Sequence, residues 1–549
     1  MSSDGTRRVE LPETMLRDGT RRVELLDTTL RDGAQMRGVS FSVEDKLKIA
    51  RCLDDMGVGL IEAGIPGSNP KDMEFFEKAQ ALDFKHSALV AFGSTRRVGS
   101  RAEDDTSLTA LIRSGAGVAA LVGKCWDYHV REVLATTYDE NLKMISDSVL
   151  YLAGKGLRVI FDAEHFFDGY AADAAYSVEC LEAACSAGAS TLCLCDTNGG
   201  AFPSQVSAST SAMAARFAGR ATIGIHCHND GGMAVANTVC AFESGAHHIQ
   251  VTVNGYGERC GNADLCAVVP NIQLKAGCIC LPPDRLGQLA TISRQVSEIA
   301  NIPHIESSPY VGGNAFSHKG GMHIDGVEKT PLSFEHIDPS LVGNARSFML
   351  SEVSGRGFML RKLRQIVPNA DKNSPVTHMV INRLKELEHE GYQYEGAEAS
   401  FELEIKKLLN MYEPHFSLIE YKVIVSEPSI DGMGAAALIK IRVNGQVEIT
   451  ADEGDGPVEA LDRAIRKAME RFYPQLGKMK LTDYKVRVID SGKATAASVR
   501  VLIESTDGAD TWTTIGVDKD IIHASWKALL DSMEYLLMKD AGATAGQAR

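Results

Sequence analysis

The sequence lacks any apolar run of the roughly 18 residues that a membrane-spanning helix needs. Its N-terminus also lacks the apolar core of a signal peptide. An excess of positive charge is missing as well, because the formal net charge is −15. That charge argues against general binding to nucleic acids or to anionic membranes. Together these absences predict a cytoplasmic protein that binds neither nucleic acids nor membranes.

The cysteines do not form the pairs that are typical of zinc or redox motifs. All 12 lie between Cys52 and Cys280. The close pairs Cys193/Cys195 and Cys278/Cys280 are separated by one residue rather than two. Several cysteines lie in apolar runs such as LCLCD, so we expect reduced thiols within a hydrophobic core.

At 549 residues the chain is too long for one ordinary core. Its first residues contain a near-repeat, in which DGTRRVEL occurs at 4–11 and again at 18–25. We interpret residues 1–21 as a duplicated, disordered segment outside the fold. The second copy leads from a predicted strand into Arg31 and Asp32, which are therefore better candidates than Arg17 and Asp18.

Short apolar runs then alternate with amphipathic stretches, which predicts an α/β fold with a (β/α)8 barrel over 22–295. The predicted strands are Val23–Asp27, Gly59–Ala63, Ser87–Phe92, Gly117–Val122, Arg158–Asp162, Thr191–Cys195, Thr222–Cys227 and His248–Val253. A doubly wound sheet is less favoured, because DTTLRDGAQ after the first strand is not a dinucleotide-binding fingerprint.

Three further segments follow the barrel. Residues 296–410 read as a helical extension that includes the glycine-rich stretch AFSHKGGMHIDG, a candidate functional loop. Residues 411–539 alternate as strands, with amphipathic helices at Pro457–Arg471 and Ile521–Leu537. This pattern predicts an α+β domain for binding, dimerisation or both. Residues 540–549 are predicted to be disordered.

Polar side chains follow most of the predicted barrel strands, and in a barrel they would converge on one face. They include Arg31, Asp32, Glu62, Lys124, Glu164, Thr197, His226, His228, Glu258 and Asn262. His226 and His228 are two residues apart at a strand end, so they point the same way. With Asp32 they form a plausible site for a divalent metal that accepts mixed nitrogen and oxygen ligands.

The motifs DTTLRDG, HCHND and NGYGERCGNADL, in this order, resemble those of a family of acyl-CoA-dependent aldol-type synthases on metal-binding barrels. The family comprises 2-isopropylmalate, homocitrate and citramalate synthases, with hydroxymethylglutaryl-CoA lyase as a relative. EGDGPVEALDRAI and TTIGVDKDIIHASWKAL are similar to its C-terminal allosteric domain, which binds a branched-chain amino acid. FDAEHFFDGY and LVGKCWDYHV resemble the citramalate branch more closely.

This resemblance implies an acyltransferase that joins pyruvate, acetyl-CoA and water into (R)-citramalate and CoA. It also implies a place in a threonine-independent route to isoleucine, inhibition by isoleucine, and a homodimer. The implied cofactor is a divalent metal (Mn, Mg, Zn or Co) held by Asp32, His226, His228 and Asn262.

The resemblance also assigns roles around the metal. Arg31 would bind substrate and stabilise the developing alkoxide, and Thr197 would hold the keto-acid carboxylate. Glu164 is a candidate acid, base or positioning group, and Glu258 is expected to orient Arg31. His323 is the candidate base for the acetyl methyl group, and His318 is a further substrate-binding imidazole.

Two alternatives remain open at this point. A 2-isopropylmalate synthase would need a larger pocket, for which Phe92 and Val122 are candidate determinants, and one methylene discriminates by only about 1–3 kcal/mol. A non-catalytic amino-acid sensor would combine a catalytically inactive barrel with a C-terminal domain that still binds an amino acid. The intact set of Arg31, Asp32, His226, His228 and Asn262 speaks against the sensor.

Overall fold

The computed structural model describes residues 21–319, 321–348, 363–364, 366–367, 371, 374–394, 396–430, 433–489, 497–508 and 510–547. Residues 1–20, which hold most of the predicted duplicated segment, lie outside this set. The described residues fall into two compact units: 21–316 with Ile337–Arg346, and those from 317 to 336 with those from 347 onward. Within these residues, no helix has both the length and the apolar character needed to cross a membrane.

The first unit is a closed barrel of eight parallel strands, in which the eighth strand pairs with the first. The strands are β1 Glu24–Asp27, β2 Leu60–Gly64, β3 Ala88–Ser94, β4 Val118–Lys124, β5 Arg158–Glu164, β6 Thr191–Asp196, β7 Thr222–Cys227 and β8 His248–Val251. The predicted (β/α)8 barrel is therefore confirmed, with each strand within two residues of its predicted start.

Helices cover the outside of this barrel. They are α1 Val43–Met56, α2 Pro70–Ala79, α3 Thr106–Arg113, α4 Tyr138–Gly154, α5 Phe166–Ala172, α6 Ala174–Ala187, α7 Pro203–Arg216, α8 Ala234–Glu243, α9 Leu265–Pro270 and α10 Leu289–Ala300. The first of them begins with a capping box, in which Ser42 Oγ accepts from the Asp45 N–H and the Asp45 carboxylate accepts from the Ser42 N–H. Local sequence thus fixes where the chain enters α1 after the loop that carries Arg31 and Asp32.

Side chains on the barrel strands alternate between two environments. Outward residues such as Ile225 and Ile249 join the large core between sheet and helices. Inside the barrel, Leu26, Val90 and Ile160 form a small apolar layer together with Cys193 and Cys195. All 12 cysteines are free thiols, and Cys260 alone is exposed, in agreement with the expected reduced core thiols.

The second unit contains two three-stranded antiparallel sheets, each followed by a helix. Its elements are β9 Ser317–His318, α11 Gly321–Lys329, β10 Ser347–Phe348, α12 Pro375–His389, α13 Glu398–Leu408, β11 Phe416–Ile430, β12 Met433–Val443, β13 Gln446–Gly454, α14 Pro457–Met469, β14 Lys480–Val488, β15 Val499–Thr506, β16 Thr511–Asp518 and α15 Ile521–Gln547. The predicted C-terminal α+β domain is confirmed. The backbone of α15 continues to Gln547, through most of the tail predicted to be disordered, because adding a residue to an existing helix costs far less than starting one.

Candidate active site and metal centre

Two histidines and one aspartate converge at the C-terminal end of the barrel. His226 lies in β7, His228 follows it by two residues, and Asp32 lies in the turn after β1. The Nε2 atoms of His226 and His228 are 3.3 and 3.7 Å from the same oxygen, Oδ2 of Asp32. All three side chains are buried, and one potential ligand atom from each lies within 4.8 Å of the others. This arrangement can hold a single cation.

Asn262 completes the cluster. Its Nδ2 lies 2.9 Å from Asp32 Oδ2 and 3.3 Å from His226 Nε2. Its Oδ1 is buried and has no hydrogen-bond partner among the residues that the structure describes. The nitrogen is thus the amide atom that faces the cluster, and a half-turn of the amide plane would present Oδ1 there instead, as a fourth ligand requires.

Glycine is required beside Asn262. A Cβ atom on Gly257 would lie 1.8 Å from Asn262 Oδ1, and one on Gly261 would lie 2.0 Å from the Gly255 carbonyl oxygen. Gly261 also has a φ of +86°, which side-chain-bearing residues rarely adopt. The glycines of NGYGERCGN therefore let the loop fold tightly enough to bring Asn262 onto the cluster.

The charges of the cluster suit a cation. Burial alone would raise the pKa of Asp32, but Arg31 and the two histidines hold it well below its usual range. Burial and the neighbouring His226 imidazole lower the pKa of His228 to about 4. His228 is therefore neutral near pH 7, as a metal-binding imidazole must be. Burial works against the charged form of His226 as well, but Asp32 raises its pKa overall.

Arg31 is held by Glu62. Its Nε forms an ion pair with Glu62, its NH1 lies 3.4 Å from Asp32 Oδ1, and its guanidinium stacks 4.0 Å from the Phe92 ring centre. Glu258, which we expected to orient Arg31 or its surroundings, borders the same cavity as Arg31 and lies 3.4 Å from Arg259. Glu62 lies near the end of the predicted strand Gly59–Ala63, but the register between β1 and β2 is needed to place it beside Arg31.

These groups border one cavity of about 160 Å³. Its lining comprises Arg31, Asp32, Gln35, Phe92, Val122, Asp162, Glu164, Cys195, Thr197, His226, His228, Glu258 and Arg259. The structure thus brings together seven of the predicted site residues around the cavity, with Asn262 bonded to two of them.

Thr197 borders the cavity and accepts a hydrogen bond from the protein. Its Oγ1 accepts a hydrogen bond of 2.8 Å from the backbone N–H of His165. His165 has a φ of +54°, an uncommon backbone conformation outside glycine. Because Oγ1 already accepts from the protein, its O–H remains able to donate to an acceptor in the cavity. Glu164, on the other side, forms an ion pair with Lys124.

His318 and His323 belong to the second unit. His318 Nε2 lies 2.9 Å from Glu335 Oε1, and the His323 ring stacks on Phe334 with centroids 4.3 Å apart. Neither contact tests the roles expected of these residues, which stay predictions.

Three family models match successive parts of the chain. The HMGL-like model matches residues 22–296, and the homocitrate synthase post-HMGL domain-like model matches 310–391. The LeuA allosteric (dimerisation) domain matches 395–537. A barrel of the HMGL-like class, with an acid–histidine cluster at its C-terminal end, is therefore joined to a domain of the allosteric type.

Curated relatives narrow this class. The chain is 47% identical to (R)-citramalate synthase of Aquifex aeolicus, over 92% of this chain and 96% of the relative. It is 45% identical to (R)-citramalate synthase of Synechocystis, over 91% and 94%. A probable 2-isopropylmalate synthase of Methanopyrus kandleri is 32% identical over 91% and 96%. The chain belongs to the (R)-citramalate synthase family of acyltransferase-type enzymes, as its motifs indicated.

Proposed function

We propose that the protein condenses pyruvate with acetyl-CoA and water to give (R)-citramalate and CoA. The observation that carries this proposal is the buried cluster of Asp32, His226 and His228 beside Arg31, on one small cavity of a barrel from this family. In this proposal the reaction is the first step of a threonine-independent route to isoleucine.

The cluster would hold a divalent metal such as Mn, Mg, Zn or Co. Asp32 and the two histidine Nε2 atoms would supply one anionic and two neutral ligand groups, and Asn262 would supply its amide oxygen after a half-turn of the amide plane. A metal bound there would act as a Lewis acid toward the keto group of the substrate.

The side chains around the cluster would bind the substrate carboxylate and stabilise the negative charge that develops on its keto oxygen. Arg31 faces the metal cluster from the Glu62 pair, so its remaining N–H groups can stabilise negative charge that develops on the keto oxygen. Thr197 would donate a hydrogen bond from its hydroxyl group to the keto-acid carboxylate. Glu164 and Glu258 border the same cavity as candidate positioning groups. We keep His323 as the candidate base for the acetyl methyl proton and His318 as a substrate-binding group.

Two observations favour pyruvate over 2-oxoisovalerate. Identity to the curated citramalate synthases reaches 47%, against 32% for the probable 2-isopropylmalate synthase. Phe92, fixed by its stack on Arg31, and Val122 also border a cavity of only about 160 Å³. We therefore expect these two side chains to disfavour the bulkier isopropyl group of 2-oxoisovalerate.

Regulation is part of the proposal. The C-terminal match is to a domain described as allosteric and dimerising, and its two sheet-and-helix repeats carry the EGDGPVEAL and GVDKDIIHAS segments. We propose that isoleucine binds this domain and lowers turnover at the barrel, and that the protein acts as a homodimer. Binding of isoleucine and of substrate must then oppose each other in both directions.

The test is CoA release from acetyl-CoA by the full chain. Pyruvate, 2-oxoisovalerate and 2-oxoglutarate are offered in parallel with each metal, with and without isoleucine or leucine. We expect a strong preference for pyruvate, inhibition by isoleucine, and loss of activity in chelator that is restored by metal. Preference for 2-oxoisovalerate with leucine inhibition would instead indicate a 2-isopropylmalate synthase. Isoleucine binding without CoA release from any keto acid would favour the sensor.

A further inference from the structure

A buried glutamine contacts one of the two clustered histidines from inside the barrel. Gln250 lies in β8 and is 1% exposed. Its Oε1 is 2.8 Å from His226 Nδ1, and its Nε2 is 2.8 Å from Asp162 Oδ1. Barrel interiors are usually filled by branched apolar side chains, and a buried amide is tolerated only when it is hydrogen bonded. This amide is bonded at both ends.

The contacts of Gln250 determine the orientation of its amide group. A carboxyl oxygen of Asp162 accepts hydrogen bonds, so the Gln250 atom facing it must be the donor Nε2. The carbonyl oxygen Oε1 is then directed at His226 Nδ1. Since Oε1 can only accept, Nδ1 must carry the proton, and the lone pair of a neutral His226 is left on Nε2. That is the atom 3.3 Å from Asp32 Oδ2.

His228 offers an internal contrast. Its Nε2 faces the same Asp32 oxygen, at 3.7 Å, but its Nδ1 is buried without a hydrogen-bond partner among the described residues. The protein therefore fixes the tautomer and ring direction of one histidine through a side chain and leaves the other without such a contact.

We propose that Gln250 is a positioning residue for metal binding: with Asp162 behind it, it holds His226 as the Nδ1–H tautomer, with Nε2 directed to the metal. The inference rests on the proposed function only in assigning a metal to the cluster. Outer hydrogen bonds of this kind orient ligating imidazoles, and their loss typically weakens metal binding by about 10- to 100-fold.

The experiment compares two substitutions of Gln250 in the full chain. Gln250→Met has similar length and no hydrogen-bonding amide, whereas Gln250→Glu retains an acceptor for His226 Nδ1–H. Both remove the amide donor to Asp162, so they differ in the contact that the proposal needs. We expect the dissociation constant for Co²⁺ or Mn²⁺, measured by competition with a chelating dye, to rise about 10- to 100-fold in Gln250→Met. The Gln250→Glu variant should bind much closer to the unaltered protein.

Thr252→Val is the matched control. Thr252 is buried just after β8, and its hydroxyl has no hydrogen-bond partner among the described residues. We expect metal affinity to be unchanged in this variant. Thermal unfolding of each metal-free variant verifies folding, and the visible spectrum of bound Co²⁺ reports the ligand geometry independently of turnover.

Two results would overturn the proposal. One is equal metal affinity and an equal Co²⁺ spectrum in Gln250→Met and the unaltered protein. The other is a loss of affinity that is as large in Gln250→Glu or Thr252→Val as in Gln250→Met, because that would indicate a general effect on packing. In both cases the unaltered protein still binds metal, so the proposed function stands. Failure of the unaltered protein to bind any of these metals would overturn both.

Discussion

Each end of the barrel carries a cluster of charged side chains, and the two clusters differ in how completely they are hydrogen bonded. At the N-terminal end, Glu24 of β1 accepts from both terminal nitrogens of Arg158, each at 2.5 Å, and contacts His248 Nδ1 at 2.8 Å. At the C-terminal end, Asn262 Oδ1, His228 Nδ1 and Glu62 Oε1 are buried without partners among the described residues.

We expect the difference to separate a structural cluster from a ligand-binding one. Unpaired buried atoms also occur elsewhere among the described residues, for example at Asn141 and Asn237, so the convergence of Asp32, His226 and His228 is what marks the C-terminal end. The Glu24 cluster already has its counter-charges within the chain, and we expect it to serve stability. The Asp32 cluster gathers two imidazoles and an amide around one carboxylate, and we expect it to serve binding. Each prediction below tests one side of this contrast.

The largest effect is expected from Asp32→Asn, which removes the only carboxylate in the proposed ligand set. Without its charge the cluster should no longer retain a divalent metal, and turnover should fall by about a thousandfold or more, equivalent to about 4 kcal/mol. The measurements are metal content after dialysis and the rate of CoA release. The fold should survive, as verified by thermal unfolding of the metal-free protein. Retention of metal at the level of the unaltered protein would contradict the assignment of Asp32.

At the N-terminal end, Glu24→Gln should lower the free energy of unfolding rather than the affinity for metal. Burial would raise the pKa of Glu24, but His248 and Arg158 lower it from 4.5 to about 2. This shift corresponds to about 3 kcal/mol of folding free energy. Because the folded-state pKa is depressed, the contribution is complete above the unfolded-state pKa and is lost as the pH falls from about 4.5 to about 2.

Urea unfolding of the metal-free proteins tests this. We expect Glu24→Gln to be less stable by about 3 kcal/mol at pH 7, with the gap to the unaltered protein closing as the pH falls below about 4.5. Metal affinity should change far less than stability, because Glu24 is separated from His226 by His248 and Gln250, whose Nε2 atoms are 3.5 Å apart. A marked loss of metal binding with unchanged stability would reverse the roles assigned to the two ends.

The barrel fold and the shared location of the candidate metal ligands could both be predicted from the sequence, because each depends on local residue patterns. Apolar runs of strand length mark the barrel, and the spacing of His226 and His228 sets them on one face. The partners of these groups depend on the register between strands and could not be read locally. Asp27 pairs with Ile61, which brings Arg31 near Glu62, and Ile225 pairs with Ile249, which sets Gln250 beside His226.

A second contact, between His165 and Thr197, could not be predicted from the sequence because it depends on backbone conformation. The hydrogen bond from the His165 N–H to Thr197 joins the ends of β5 and β6 and depends on the positive φ of His165. Histidine adopts the left-handed conformation more often than most residues that carry a side chain, but no residue pattern around His165 indicates that it does so here. The sequence could therefore nominate Thr197 but could not indicate which of its lone pairs or protons faces the cavity.

The smallest expected effect concerns Thr197, whose hydroxyl is bonded on one side only and so belongs with the incompletely paired atoms of the C-terminal end. Thr197→Val keeps the shape and removes the donor to the keto-acid carboxylate, so kcat/KM for the keto acid should fall about tenfold, equivalent to about 1.4 kcal/mol. The Thr197→Ser variant retains the hydroxyl and should recover most of this loss. Metal content and the KM for acetyl-CoA should stay unchanged in both. If Thr197→Val left the keto-acid kinetics unchanged, the Thr197 hydroxyl would have no role in substrate binding. Its hydrogen bond from the His165 N–H would then serve only the local backbone structure.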